Sequence, residues 1–250
     1  MVSSSGLTRS LAALALLGLL AIPARAQGDP HQHHHHPPQP AQPTPPAGPD
    51  TSGNDHGHGA HSHGAHGPSL GPAGATYDLR WLDAMVQHHT GALRMSEFVF
   101  DIGQPGVGAL ARAVWRDQAQ EIKAMGQWRK AWYPEAPVYP VALRPGGDPD
   151  SLAGLQRMQP AQIQALRMEG AAPSRSDRVT WFLEGMIAHH GGALQMAHDA
   201  LDKSRNPTVR RLARQIIGAQ RSEILALRHM LGRDGFDKPA YRQFDALFTF

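Results

Sequence analysis

Cysteine is absent from the 250 residues. With it go disulfides, thiolate metal sites, iron–sulfur clusters and c-type haem attachment. Whatever the chain ligates, it ligates without cysteine sulfur. Charge of one sign is also scarce: the formal net charge is +3, from 24 Lys+Arg against 21 Asp+Glu. From Tyr77 onward 22 basic residues face 18 acidic ones, with no block of five or more Lys/Arg. So mild and scattered a charge argues against a nucleic-acid partner, and none is expected. E-x-x-H is missing too, and with it the ligand pattern of a di-iron carboxylate oxidase built inside a helical bundle.

The apolar run Leu11–Ile22 is 12 residues, well short of the roughly 20 that a spanning helix needs. It follows Arg9 and precedes Ala24-Arg25-Ala26, the order of a secretory signal peptide with cleavage after Ala26. Residues 1–26 are therefore read as a signal peptide. The mature chain is expected to be periplasmic or extracellular, with no membrane span. A cysteine-free metal site suits such a compartment, because thioethers and imidazoles do not form disulfides. Residues 27–76 hold ten prolines and nine glycines with almost no aliphatic side chains. They cannot bury enough apolar area to offset their ordering entropy, which predicts a disordered tail. Ten of the 16 histidines lie there: His31, His33, His34, His35, His36, His56, His58, His61, His63 and His66. Neutral imidazoles on a flexible tail can capture Cu(II), Ni(II) or Zn(II) without fixing a geometry. The alternative is a solvated linker.

From Thr76 the pattern takes on a helical period. It predicts helices over 77–102, with Thr76 as N-cap, and over 107–132. A proline-rich crossover follows, with short helices near 151–156 and 160–168 and no convincing strand. Long helices over 176–204 and from Asn206-Pro207 to Arg233 complete the pattern. The fold class is all-α, a four-helix bundle over 77–235 in two repeats, 77–132 and 176–235, joined by 133–175. Residues 236–250 form an extension of mixed character. The duplication is explicit. Trp81–Glu97 aligned with Phe182–His198 gives eight identities in 17 positions. They include Met85/Met186, His88/His189, His89/His190, Gly91/Gly192 and Met95/Met196. Gln118-x-x-Glu121-Ile122 likewise repeats as Gln220-x-x-Glu223-Ile224.

At about 100° per residue, Met85, His88, His89, Ala92 and Met95 share an arc of roughly 120°. Met186, His189, His190, Ala193 and Met196 do the same. Imidazole nitrogen and thioether sulfur on one face describe a site for a soft cation of low coordination number. Cu(I) and its mimic Ag(I) fit, whereas Mg(II) or Ca(II) would need oxygen ligands. The competing reading makes these methionines core fillers. Met125 and Met230 are candidates for additional ligands; Met158 and Met168 in the crossover are weaker candidates, with covering the core as the alternative. Gln118, Glu121, Gln220 and Glu223 could orient the ring N–H of a ligating histidine. Asp83, Glu184, His198 and His229 are read as solvent-facing. Gly91 and Gly192 each cost a helix about 1 kcal/mol against Ala, so room for a neighbouring helix or an ion is the expected reason for them.

The doubled M-x-x-H-H-x-G-A-x-x-M, followed by Q-x-x-E-I, resembles the CopM-like periplasmic family, also filed as domain-of-unknown-function three-hundred-and-five. The resemblance spans Tyr77 to Leu231. It implies a ferritin-like four-helix bundle, export, and Cu(I) and Ag(I) binding linked to copper tolerance, with the motif Met and His positions as ligands. The copies differ in two family positions: Asp78 is matched by Val179, and Trp128 by Met230.

The functional expectation is a non-catalytic protein that sequesters or buffers Cu(I), exchanging it with a periplasmic donor or acceptor protein. Two other readings compete. A haem- or copper-dependent redox enzyme would show a Soret band or a repeated acid or base beside the motif. A structural or interaction bundle with a His-rich linker would melt at the same temperature with and without metal.

Overall fold

The computed structural model describes residues 69–103, 106–136 and 138–250. The expected signal peptide and the ten tail histidines lie outside the described residues. Five helices carry the fold: α1 (Tyr77–Glu97), α2 (Val107–Trp132), α3 (Pro160–Arg167), α4 (Arg178–Lys203) and α5 (Pro207–Arg233). The chain is all-α in class, and among the described residues no helix is long and apolar enough to cross a membrane. α5 starts as its sequence dictates. Asn206 accepts a hydrogen bond from Thr208 N at 2.9 Å, and Pro207 occupies the first turn, where its missing N–H costs nothing.

α1 packs along α2 and α4 along α5, and the two pairs meet where α1 lies against α4. Trp81, Leu82, Phe182, Leu183, Ile216 and Ile224 are among the residues of the shared core. Each such side chain contributes about 1.5–3 kcal/mol on burial. Three hydrogen bonds set the α1–α4 alignment. Tyr77 Oη donates to Asp199 Oδ2 at 2.7 Å, Trp81 Nε1 to the Met196 carbonyl at 2.8 Å, and His189 Nε2 to the His88 carbonyl at 3.0 Å. Residue numbers climb on α1 as they fall on α4, so the helices are antiparallel. The crossing brings equivalent motif positions, His88 and His189, face to face.

Several expectations need correction. α1 ends at Glu97, not residue 102. Val99 N bonds the Ser96 carbonyl and Ile102 N the Val99 carbonyl, tightening the chain into turns that drop Val99 into the core. Thr76 stands at the N-cap without a capping bond; its hydroxyl instead donates to the Pro149 carbonyl at 2.7 Å. Residues 69–76, assigned to the disordered tail, are tied to the helices by the buried Arg80. Its guanidinium reaches Thr76 Oγ1, the Leu70 carbonyl and the Pro72 carbonyl. The crossover does contain strands, β1 (Val141–Leu143) and β2 (Leu155–Arg157), paired antiparallel with Leu143 opposite Leu155. At three residues each they are too short to show alternation.

That hairpin explains Asp83. Read as solvent-facing, it is fully buried, pairs with Arg129 Nε at 2.6 Å and accepts Val141 N at 2.8 Å. Burial raises its pKa, against the lowering effect of Arg129. Glu184 is likewise not free. It takes hydrogen bonds from Lys238 and Tyr241 of the C-terminal extension, which hold its pKa down. The extension forms two short 3-10 turns, Pro239–Arg242 and Asp245–Leu247, against α4. His198, expected at the surface, is half-buried beneath it and its Nε2 lies 3.0 Å from the Leu247 carbonyl. His229 is exposed, as expected.

Candidate metal centre

Two adjacent histidines on a helix point about 100° apart, so each motif sends one ring toward the α1–α4 crossing and the other toward its partner helix. His88 and His189 meet at the crossing with ring centroids 3.9 Å apart. His89 turns to α2, where its Nε2 lies 2.7 Å from Glu121 Oε2. His190 turns to α5, with Nε2 2.9 Å from Glu223 Oε2, in contact but off the line of a hydrogen bond. All four rings are fully buried. The orienting geometry is therefore present at Glu121, while Glu223 is within reach of His190 without a hydrogen bond to it. Gln118 and Gln220 do not share it: both are buried, and neither Gln118 amide atom nor Gln220 Oε1 has a hydrogen-bond partner.

The rings at the crossing are electron-pair donors. Burial, then the neighbouring His189, His89 and His190, push His88 well below its ordinary pKa of 6.5. Burial, then His190 and His89, do the same to His189. Both are neutral near pH 7. Because His189 donates Nε2–H to a carbonyl, its lone pair sits on Nδ1, which has no partner. His89 donating to Glu121 also leaves its Nδ1 unpartnered, and His88 has neither ring nitrogen bonded. A buried polar atom left unpaired costs about 1–3 kcal/mol, so these orphaned nitrogens fit a cation that would relieve them.

The donor set restricts which cation. Among the described residues no three His, Asp or Glu side chains converge into a metal-holding group, so an all-imidazole or imidazole–carboxylate cage is absent there. The same two helices also carry buried sulfur. Met85, Met95, Met186 and Met196 are all core residues on the same two helices, as is Met125 of α2; Met230 of α5 is half-buried at the core's edge. Trp81 hydrogen-bonds the backbone of Met196, and the Met95 methyl lies 2.8 Å from where a β-carbon on Gly185 would stand. Imidazole plus thioether at low coordination number suits Cu(I) or Ag(I).

The motif glycines have different reasons to be there. A β-carbon on Gly91 would lie 1.8 Å from the Arg167 carbonyl, so the end of α3 rests on bare backbone. One on Gly192 would lie 2.9 Å from Met168 Sδ and 3.0 Å from His88 Nε2. Met168 Sδ and a motif imidazole nitrogen thus lie over the same bare stretch of backbone, no more than 5.9 Å apart. The only sequence signal was Gly192 itself, a glycine in the middle of a good helix.

Comparisons with known proteins follow this geometry. The solved structure of CopM in the Cu(I)-bound form is 24% identical, with a TM-score of 0.45 over 62% of this chain and 96% of that one. CopM in the Cu(II)-bound form is 25% identical, with a TM-score of 0.46 and the same shares. A DUF305 fragment from Deinococcus radiodurans is 26% identical, with a TM-score of 0.45 over 65% of this chain and 99% of that one. TM-scores below 0.5 leave the placement of individual residues to the geometry above. No curated protein matches the chain. The family model described as "Domain of unknown function (DUF305)" matches residues 78–231, which takes in both Met–His helices and both partner helices, and the chain belongs to that family.

Proposed function

We propose that this is an exported protein that binds Cu(I), with Ag(I) as its mimic, and sequesters or buffers it in the periplasm, contributing to copper tolerance. One observation carries the reading. At the α1–α4 crossing two neutral imidazoles from equivalent motif positions face each other in a sulfur-rich core, with their unpartnered nitrogens fully buried. The four long helices serve as a ferritin-like bundle of two repeated pairs. Met85, His88, Met95 and His89 form one half of the donor set, and Met186, His189, Met196 and His190 the other. Glu121 holds the His89 ring in one tautomer, which raises its basicity as a ligand, and Glu223 stands beside His190 to do the same once that ring turns into line. The role is non-catalytic, with copper as cargo passed to or from a protein partner, and the His-rich tail captures Cu(II) ahead of the bundle.

Titration of the full chain with Cu(I) under reductant, against a chromophoric chelator, tests this. Sub-micromolar binding is expected, lost in the His88/His89/His189/His190→Ala variant. A melt in parallel should show about 4 kcal/mol of stabilisation at free metal one thousand times Kd. No binding below micromolar, or an unchanged melt, would overturn the proposal in favour of a purely structural bundle.

A further inference from the structure

Met168 stands one residue beyond α3, in a left-handed conformation (φ 49°) that side-chain-bearing residues rarely adopt. It is 38% exposed, yet its sulfur reaches inward to Gly192. Its neighbours fix it there. Arg167 donates to Gln87 Oε1 from Nη2 at 2.9 Å and from Nε at 3.2 Å, and its carbonyl rests against Gly91. Glu169 accepts from Arg94 at 3.0 Å. Both residues flanking Met168 are therefore anchored to α1, the helix that carries His88. A groove of about 580 Å³ runs along α3 and is lined by Arg167 and Glu169 at this end.

Around the point a Gly192 β-carbon would fill, Met168 Sδ stands at 2.9 Å and His88 Nε2 at 3.0 Å. The two atoms therefore stand no more than 5.9 Å apart, and with metal–nitrogen and metal–sulfur bonds near 2.0–2.3 Å an ion bridging them needs that gap to close to about 4–4.6 Å. His88 Nε2 is buried with no hydrogen bond to surrender. From this juxtaposition we propose that Met168 and His88 form a thioether–imidazole site for a soft monovalent cation, cradled by Gly192 and opening to solvent through Met168. This rests on the soft-metal reading above and deepens it. The crossover residue is a ligand, and it makes the buried imidazole pair reachable by an exchanging donor. In the first repeat the corresponding cradle, at Gly91, is filled by the Arg167 carbonyl, so the two halves are not equivalent and exchange occurs on the Gly192 side.

The test uses the full chain labelled at its methionine methyl groups and titrated with Ag(I), with Met168→Leu identifying the Met168 resonance. The tail histidines cannot produce a methionine shift. That resonance should move within the first equivalent of bundle-bound Ag(I). Met168→Leu should weaken Ag(I) affinity at least tenfold, and Met158→Leu should leave it within twofold. Gly192→Ala should stay folded, because its β-carbon meets only side-chain atoms, and should also lose at least tenfold. If other motif methionine resonances shift while Met168 stays still and Met168→Leu binds as the native chain does, this proposal falls and the soft-metal reading stands. If no methionine resonance moves at any Ag(I) ratio, both fall together.

Discussion

Acid should unfold the metal-free protein through His88 and His189. Burial holds both pKa values well below 6.5 in the folded state, whereas in the unfolded chain each returns to about 6.5. Below that pH the unfolded state binds two more protons than the folded state, so stability falls with acidification. The contribution is fully present above the unfolded pKa. It is lost as pH drops from about 6.5 toward the depressed folded values. With both folded rings neutral throughout, integrating from pH 7.5 to 5.5 sets an upper bound of about 1.4 kcal/mol per ring, or about 2.7 kcal/mol for the pair. Against a typical total of about 5–15 kcal/mol the loss is easily measured. The assay is urea denaturation of metal-free protein across this range, beside a His88→Leu/His189→Leu variant. The slope should fall in the variant by the share these two rings supply, whatever its absolute stability, since leucine does not titrate. A native protein equally stable at pH 7.5 and 5.5, or a variant that keeps the slope, refutes the claim that these rings are held neutral.

Glycine substitutions should split by surroundings. Gly91→Ala drives a β-carbon to 1.8 Å from the Arg167 carbonyl, costing about 1–3 kcal/mol by overpacking despite the helix preference for alanine. Gly126→Ala, with nothing within 4 Å of its β-carbon, should stabilise by up to about 1 kcal/mol; thermal melts of the two decide it. Glu121→Gln combined with Glu223→Gln should weaken Cu(I) binding about 10–100-fold by releasing the outer rings, read by chelator competition with the fold checked by circular dichroism. Asp83→Ala removes the buried partner of Arg129 and of Val141 N, and denaturant unfolding should show a loss of about 3–5 kcal/mol.

Periodicity located the helices because their cores are one-sided enough to print a 3.6-residue stripe, and α2 and α5 end where proline, glycine and cap residues predict. The duplicated motif made its histidines legible, since a pair repeated at fixed spacing survives any rotation of the helical wheel. The burial of Asp83 and the approach of Met168 to His88 escape the helical wheel for a common reason. A wheel assumes one buried face and one wet face, but α1 is enclosed by α2, α3, α4 and β1, so its Arg80, Asp83 and Gln87 are buried as well. The side opposite His88 is therefore not solvent; it is where the β1–β2 hairpin docks on Asp83. The same enclosure brings the end of α3 onto α1 through Arg167, and so carries Met168 to His88 across 80 residues of sequence. No local pattern encodes that approach. What encodes it is a pair of glycines one helical turn deep in each motif, whose cost in helix propensity is explained only when the atoms that fill their space are known: a carbonyl over Gly91, and over Gly192 a sulfur and an imidazole nitrogen.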